Sequence, residues 1–130
     1  MIIDTSAIVA ILAGEEEAAE FAHLIESVDE PWISAGTVLE ASLVLGSRRQ
    51  GLLDDFLDIA NARVIAFDEQ QLTVAREAHA RFGRGSGSPA RLNYGDCFAY
   101  ALARTSGRPL LFKGEDFGHT DIVRASSTGE

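Results

Sequence analysis

Four acidic residues stand where a carboxylate could take part in chemistry: Asp4, Glu40, Asp96 and Asp116. Asp4 and Asp116 each follow a short apolar run, and Asp96 opens an apolar helical segment. Carboxylates brought close together repel one another, and they stay ionised only when cations compensate their charge. Oxygen ligands select hard ions. A converging set of these acids therefore predicts Mg²⁺ or Mn²⁺ rather than zinc.

Glu40 is the acid that its sequence surroundings explain least. On the predicted helix its neighbours at three and four residues are Gly36, Thr37, Leu43 and Val44, so it lies on a small-to-apolar face without a basic residue. A buried carboxylate without a partner is costly, so this side chain needs one from elsewhere in the fold. A metal ion or a distant arginine would both serve.

The three aspartates also have purely structural explanations. Asn93 is a suitable N-cap, and Asp96 would then stand at the third helical position, where an acid returns a capping hydrogen bond. The helix dipole also favours a negative charge there. Asp4 and Asp116 could cap the short helical segments that follow them. Each residue alone is compatible with a cap or with a metal ligand.

The composition is that of one globular domain. Hydrophobic residues make up 46% of the chain and charged residues 24%, which are ordinary values for such a domain. Cys97 is the only cysteine, which excludes an intrachain disulfide and favours a reducing compartment. The longest apolar run, 7–13, is too short to span a bilayer, and the amino terminus lacks a basic signal-peptide region, so we expect a cytoplasmic protein.

The elements that must position the acids alternate between strands and helices. A buried strand is predicted at 1–3, further strands at 31–34, 63–67 and 109–112, and a fifth, edge strand at 122–124. Helices are predicted at 7–13, 15–28, 36–50, 52–60, 69–82 and 93–106. Thr5 or Ser6 is expected to cap the first helix, Asp68 to cap the fifth, and Gly51 to end the third.

Alternating strands and helices predict an α/β domain with a mostly parallel sheet. In such sheets ligands bind beyond the carboxyl ends of the strands, which is where the acids are expected to gather. We expect a single domain over residues 1–125 and a disordered tail over 126–130.

Four segments together resemble the PIN domain, and more narrowly the VapC toxins of type II toxin–antitoxin systems. They are Ile2-Ile3-Asp4-Thr5-Ser6-Ala7, the helical Glu40, Asn93-Tyr94-Gly95-Asp96-Cys97, and Leu110 to Phe117. The resemblance implies a three-layer α/β/α fold around a sheet of four to five strands. It further implies a Mg²⁺-dependent endoribonuclease, for which Mn²⁺ may substitute, acting on RNA. Such toxins usually form homodimers and are silenced by a VapB antitoxin.

By this resemblance Asp4, Glu40 and Asp96 are the first three catalytic and metal-binding acids. Thr5 or Ser6 corresponds to a small hydroxyl residue that supports the site, although a capping role would also explain it. Metal-assisted hydrolysis by water would leave 5′-phosphate and 3′-hydroxyl ends, with Glu40 as a candidate general base.

The fourth acid is less well defined by the resemblance. Many PIN domains carry Asp or Asn where this chain has Gly114, and Thr or Ser where it has Phe112. Asp116 is therefore taken as the fourth acid, with Glu115 as the alternative.

Basic residues are needed because an acidic pocket cannot attract RNA by itself, and the chain carries a net charge of −9. The candidates for contacts with the RNA backbone are Arg81, Arg84, Arg91, Lys113, Arg48 and Arg49. Tyr94 or Phe98 could stack on a base, but core packing is the favoured interpretation for both.

Two other classes of function remain open. A catalytically silent PIN-like module could bind a partner or RNA through its acidic pocket. Phosphoryl transfer through Asp4, with Lys113 as its partner, is a further alternative, although Ile3 and Thr5 stand where a paired aspartate would be expected. An antitoxin segment is expected in a groove flanked by helices 15–28 and 36–50.

Overall fold

A four-stranded parallel sheet runs through the middle of the molecule in the computed structural model, which describes residues 1–127. The strands are β1 (Ile2–Ile3), β2 (Trp32–Ser34), β3 (Arg63–Ile65) and β4 (Leu110–Leu111). Their order is β3-β2-β1-β4, and every pair is parallel. Parallel pairing brings the carboxyl ends of β1 and β4 side by side, so the chain segments that follow both strands meet at one edge.

Six α-helices flank the sheet: α1 (Thr5–Leu12), α2 (Ala18–Glu26), α3 (Ala35–Leu45), α4 (Gln50–Ile59), α5 (Glu69–Phe82) and α6 (Asp96–Ser106). Short 3₁₀ turns cover Ser47–Arg49 and Phe117–His119. The predicted α/β class with a parallel sheet is confirmed, and so are the bounds of the helix at 69–82. Asp68 caps that helix as predicted, since its Oδ1 accepts a hydrogen bond from the Gln71 N–H at 2.9 Å.

The core has two halves because successive residues of a strand face opposite sides of the sheet. Ile3 and Leu111 pack with buried residues of α1, α2, α3 and α4 on one side. Ile2 and Leu110 pack with α5 and α6 on the other. This arrangement gives the three α/β/α layers that the sequence predicts.

Three sequence predictions about element bounds are wrong. The third helix ends at Gly46, whose φ of +82° favours glycine, while Gly51 lies inside α4. Thr5 and Ser6 lie within α1, and the capping residue is Asp4. The predicted fifth strand at 122–124 is reduced to one parallel bridge between Leu110 and Arg124.

The carboxyl-terminal prediction is only partly covered by the structure. Residues 128–130 of the predicted disordered tail lie outside the described residues, and the domain boundary at 125 stays a prediction. Within the described part of the chain, no helix is long and apolar enough to cross a membrane.

Candidate active site

Asp4 lies where β1 ends and α1 begins, at the edge that β1 shares with β4. Its backbone N–H donates to the Leu111 carbonyl at 3.1 Å, which fixes the two strand ends together. Its carboxylate Oδ2 accepts hydrogen bonds from the Ser6 N–H at 3.0 Å and the Ser6 hydroxyl at 2.6 Å. Asp4 is thus a helix cap whose side chain is held in one orientation.

The other carboxylate oxygen of Asp4 is buried at the same edge of the sheet. Asp4 is only 3% exposed, and its Oδ1 is buried without a hydrogen-bond partner among residues 1–127. Burial raises the pKa of Asp4 to about 6, the Ser6 hydrogen bonds oppose this shift, and the Glu40 charge adds to it. A buried carboxylate oxygen of this kind favours a bound proton, a cation or a donor from outside the described residues.

Glu40 reaches the same edge from α3. Thr5 Oγ1 donates a hydrogen bond to its Oε1 at 2.5 Å, so the hydroxyl beside Asp4 also orients this second acid. The carboxylate of Glu40 lies against Gly95, at a place that a Cβ atom would occupy. Glu40 is therefore half-buried between Thr5 and Gly95, and its carboxylate lies next to the start of α6.

Asp96 is the first residue of α6, not the third as predicted, but it makes the reciprocal pair of hydrogen bonds with Asn93 that the sequence predicts. The Asn93 N–H donates to Asp96 Oδ2 at 2.9 Å, and the Asp96 N–H donates to Asn93 Oδ1 at 2.9 Å. Burial raises the pKa of Asp96 to about 7, the Asn93 hydrogen bond lowers it, and three neighbouring negative charges raise it further. Capping and proximity to other acids thus coexist at this residue.

The three negative charges that raise the pKa of Asp96 come from the other predicted site acids. Among residues 1–127 they belong to Asp4, Glu40 and Asp116. Asp116 and Glu115 both lie exposed in the loop after β4, but Asp116 is the one whose charge acts on Asp96. Asp116 as the fourth acid, with Glu115 as the alternative, stays a prediction.

The group fits a divalent cation in its donor chemistry. The hydrogen bonds described above engage one oxygen each of Asp4, Glu40 and Asp96. Within residues 1–127, no three His, Cys, Asp or Glu side chains are placed as a ready set of metal ligands. The fit rests instead on the unpartnered Oδ1 of Asp4 and on the raised pKa values of Asp4 and Asp96, which a bound cation would lower.

Ser6 connects this site to the loop that carries Asp116. Its hydroxyl oxygen accepts a hydrogen bond from the Lys113 backbone N–H at 2.9 Å while donating to Asp4. The Lys113 ammonium lies 3.0 Å from Glu15 and 3.4 Å from Glu17, and these carboxylates raise the pKa of Lys113. Of the predicted RNA-contacting residues, Lys113 is thus beside the acids but already paired.

The predicted basic residues do not form one patch with the site. Arg81 pairs with Asp121 at 3.9 Å and lies over the Phe82 ring, on the outer side of α5 and α6. The remaining four are exposed: Arg84 and Arg91 flank the loop between these helices, and Arg48 and Arg49 lie in the first 3₁₀ turn.

Tyr94 contradicts the expectation that its helix face is core. Its side chain is 80% exposed, two residues before Asp96. Phe98 is half-buried and packs edge-to-face against both Phe67, at 4.8 Å between ring centroids, and Tyr94, at 5.2 Å. Core packing is therefore wrong for Tyr94, because this residue precedes the helix instead of lying within it.

The roles of two residues next to the site were not predicted from the sequence. Gly95, directly before Asp96, makes room for Glu40, and a glycine between a cap and an acid could have signalled a close approach. Arg124 donates hydrogen bonds to the Phe112 and Gly114 carbonyls of the loop after β4. No local pattern signals such a contact, because it depends on how the chain returns to β4.

Comparison with known proteins gives a consistent result over almost the whole chain. A family model described as the PIN domain matches residues 1–123. A VapC ribonuclease of Mycobacterium bovis is 48% identical over 129 residues, covering 96% of this chain and 97% of the relative. Ribonuclease VapC42 of Mycobacterium tuberculosis is 45% identical over 126 residues, covering 94% of this chain and 96% of the relative.

Solved structures agree in fold. The crystal structure of Mycobacterium tuberculosis VapC20, described as a sarcin–ricin loop cleaving toxin, has a TM-score of 0.75 at 18% identity, covering 96% of this chain and 98% of that chain. VapBC2 from Rickettsia felis, bound to a DNA fragment from its promoter, has a TM-score of 0.70 at 15% identity, covering 95% and 94%. The chain belongs to the PIN domain family and, within it, to the VapC ribonucleases.

Proposed function

We propose that this protein is a metal-dependent endoribonuclease and the toxin of a VapBC-type toxin–antitoxin pair, acting in the cytoplasm. The observation that carries the proposal is the buried, unpartnered Oδ1 of Asp4 beside the charges of Glu40, Asp96 and Asp116. Relatives at 45–48% identity that are named ribonucleases support the reaction class.

Asp4 and Asp96 would hold the principal ion, and Glu40 and Asp116 would complete the set directly or through water. When bound, Mg²⁺ or Mn²⁺ would supply a water of lowered pKa and would neutralise charge on the phosphate. Attack of water on phosphorus would break the bond to the 3′ oxygen, and the 3′ oxygen would take up a proton from solvent. The products are a 5′-phosphate and a 3′-hydroxyl.

The protein's own part is positioning. Ser6 fixes Asp4, Thr5 fixes Glu40, and Asn93 fixes Asp96, each through a hydrogen bond to one carboxylate oxygen. Glu40 is half-buried and accepts a hydrogen bond from Thr5, which supports it as the group that would accept a proton from the attacking water. Carboxylates held in this way need little rearrangement when charge develops on the phosphate.

Contacts to the RNA backbone would come from the exposed Arg84, Arg91, Arg48 and Arg49. Lys113 joins them if a phosphate displaces it from Glu15 and Glu17, a surface pairing that costs little to break. Arg81 is a further candidate, because it is exposed and shares the carboxylate of Asp121, 3.9 Å away, with Arg104.

An antitoxin segment would occupy an apolar groove of about 630 Å³ between α1, α2 and α4. Apolar lining residues include Ile11, Leu12, Ile25, Phe56 and Ile59. Ile59 is 86% exposed, and the acids Glu26, Asp29 and Asp55 lie at the same groove. This lining fits an amphipathic helix with basic residues at its edges. The groove uses α4, where the sequence suggested α3.

A homodimer would use the outer face of α3 instead. Leu39, Leu43 and Val44 are 61%, 74% and 59% exposed on this helix. Apolar side chains gathered on one exposed helix face are typical of an interaction surface. The two surfaces are formed by different helices, so we expect antitoxin binding and dimerisation to be compatible.

Cleavage of structured RNAs by purified, antitoxin-free protein tests the proposed function. We expect activity with Mg²⁺ or Mn²⁺, none with EDTA, and a loss of at least about 100-fold in Asp96→Asn. The matched control is Asp54→Asn, which neutralises an exposed acid of α4 and should leave activity unchanged. Equal cleavage by Asp96→Asn and the parent would contradict the nuclease assignment. If the parent binds RNA and cleaves none, a silent binding module is favoured.

A further inference from the structure

The loop after β4 poses a physical problem for the proposed site. Lys113, Gly114, Glu115 and Asp116 are all exposed, and exposed loops are the mobile part of most folds. A carboxylate at the end of such a segment cannot hold a fixed place unless the backbone before it is held. The backbone of this loop is nevertheless hydrogen-bonded from two sides, by Ser6 and by Arg124.

Arg124 supplies the restraint. Its Nη1 donates to the Phe112 carbonyl at 3.1 Å and its Nη2 donates to the Gly114 carbonyl at 3.0 Å. The guanidinium carbon lies 3.9 Å from the centroid of the Phe112 ring, which is itself buried. The Arg124 guanidinium is thus hydrogen-bonded to the backbone carbonyls on both sides of Lys113.

The backbone of Arg124 is anchored in turn. The Leu110 N–H donates to the Val123 carbonyl and the Ala125 N–H donates to the Leu110 carbonyl, both at 2.9 Å. These bonds form the bridge that remains of the predicted fifth strand. The segment at 123–125 therefore adds no full strand, but it fixes the base of the Arg124 side chain beside β4.

The opposite side of the loop is held by Ser6, which accepts the Lys113 N–H while donating to Asp4. Two independent contacts thus fix the three residues before Glu115 and Asp116. Only arginine provides two parallel donors and a flat face for stacking. Lysine keeps the positive charge but has neither the two parallel N–H donors nor the planar group that stacks on a ring.

We propose that Arg124 is a positioning residue for Asp116: its guanidinium holds the loop after β4 so that the Asp116 carboxylate faces Asp96. The proposal rests on the proposed function, because it gives Asp116 a part in cation binding. Arg124 touches neither RNA nor the ion in this scheme, and it acts through the Phe112 and Gly114 carbonyls.

The test measures Mn²⁺ binding to the full chain without RNA, by calorimetric titration. Arg124→Gln keeps a planar amide but loses the pair of parallel N–H donors, and we expect about tenfold weaker Mn²⁺ binding. Arg124→Lys should fall between it and the parent. The matched control is Arg108→Gln, because Arg108 also lies over an aromatic ring, that of Trp32 at 3.5 Å, near the amino end of β4. This control should bind Mn²⁺ as the parent does.

The decisive comparison repeats Arg124→Gln in an Asp116→Asn background. If Arg124 acts through Asp116, its substitution should have no further effect on Mn²⁺ affinity there. Urea unfolding and hydrogen exchange at 113–116 accompany each titration, and exchange in this loop should rise in Arg124→Gln. If Arg124→Gln does not fold, Arg124→Lys makes the same comparison.

Three results would overturn the proposal. They are unchanged Mn²⁺ affinity in folded Arg124→Gln, an equal loss in both backgrounds, and unchanged affinity in Asp116→Asn. A fall in folding stability without a change in Mn²⁺ affinity would show a purely structural role. The failure of the proposed function appears differently, as a parent protein that binds Mn²⁺ and cleaves no RNA. In that case the Mn²⁺ titrations still show whether Arg124 positions Asp116.

Discussion

Burial sets the chemistry of the two central aspartates. Asp4 is almost completely enclosed and Asp96 partly so, and enclosure is the largest cause of the raised pKa of each. The hydrogen bonds from Ser6 and Asn93 work in the opposite direction, because they favour the ionised form. Without a cation these carboxylates hold protons at a pH where free aspartates do not. A site in this state is suited to exchange its protons for a metal ion.

The stability of the metal-free protein should therefore fall as the pH rises. Asp4 and Asp96 have folded-state pKa values of about 6 and about 7, both above the ordinary aspartate value of 3.8. Between these limits the folded state binds more protons than the unfolded chain, so the free energy of unfolding decreases with increasing pH. Urea unfolding in EDTA from about pH 5 to about pH 8 measures this slope.

The substitution Asp96→Asn should flatten that dependence, because asparagine has no proton to lose and can still accept the Asn93 N–H. Asp54→Asn should retain the parental slope, since Asp54 is exposed. Added Mn²⁺ should restore stability near the upper end of the range in the parent. A metal-free parent that becomes more stable over the same range would contradict the account of these two residues.

Helices α3 and α6 meet at the site, and their contact explains how a glutamate from one reaches an aspartate on the other. Gly95 is the contact point, because a side chain there would occupy the space of the Glu40 carboxylate. Thr5 of α1 holds Glu40 from the other side. Three helices thus determine the position of one carboxylate.

The substitution Gly95→Ala should displace Glu40 and reduce cleavage by about 100-fold, because small misplacements of catalytic groups cost that much. Mn²⁺ binding and RNA cleavage, each compared with Glu40→Gln, measure the effect. Gly51→Ala is the control: nothing lies within 4 Å of its new Cβ atom. It should keep full activity and stabilise α4 by about 0.5–1 kcal/mol. Full activity in Gly95→Ala would contradict the role given to this contact.

Local signals explain which elements could be predicted from the sequence. Asp68 and the Asn93–Asp96 pair were predictable because a cap and its partner lie within three residues of each other. The end of α3 was not, since Gly46 and Gly51 look alike in sequence and only Gly46 takes a positive φ. The contacts of Thr5 with Glu40 and of Arg124 with Gly114 depend on tertiary packing, which no local pattern encodes.

At the scale of the whole molecule, two of the apolar regions on the surface of this acidic protein are the proposed sites of assembly. The groove between α1, α2 and α4 and the outer face of α3 are formed by different helices. The net charge of −9 favours a basic partner over RNA as the tighter binder of this surface. Because the two regions lie on different helices, we expect that one substitution can disrupt the homodimer and another the antitoxin complex.

Two substitutions serve as controls for each other. Leu43→Glu, on α3, should give a monomer that still forms a complex with the co-expressed cognate antitoxin. Ile59→Glu, in the groove, should remain a dimer and lose that complex, since it places a charge among apolar side chains. Size-exclusion chromatography with light scattering measures both properties. The reverse pattern, or loss of both assemblies in one variant, would contradict this division of the surface.

The chemistry of the RNA ends tests the central claim, hydrolysis at a metal site built on Asp4 and Asp96, most directly. Ends made by the purified protein with Mn²⁺ are mapped by ligation, with and without phosphatase or kinase treatment, beside Asp96→Asn and EDTA controls. Attack by water predicts 5′-phosphate and 3′-hydroxyl ends that disappear in both controls. Ends carrying a 2′,3′-cyclic phosphate, or ends that persist in EDTA or in Asp96→Asn, would contradict it.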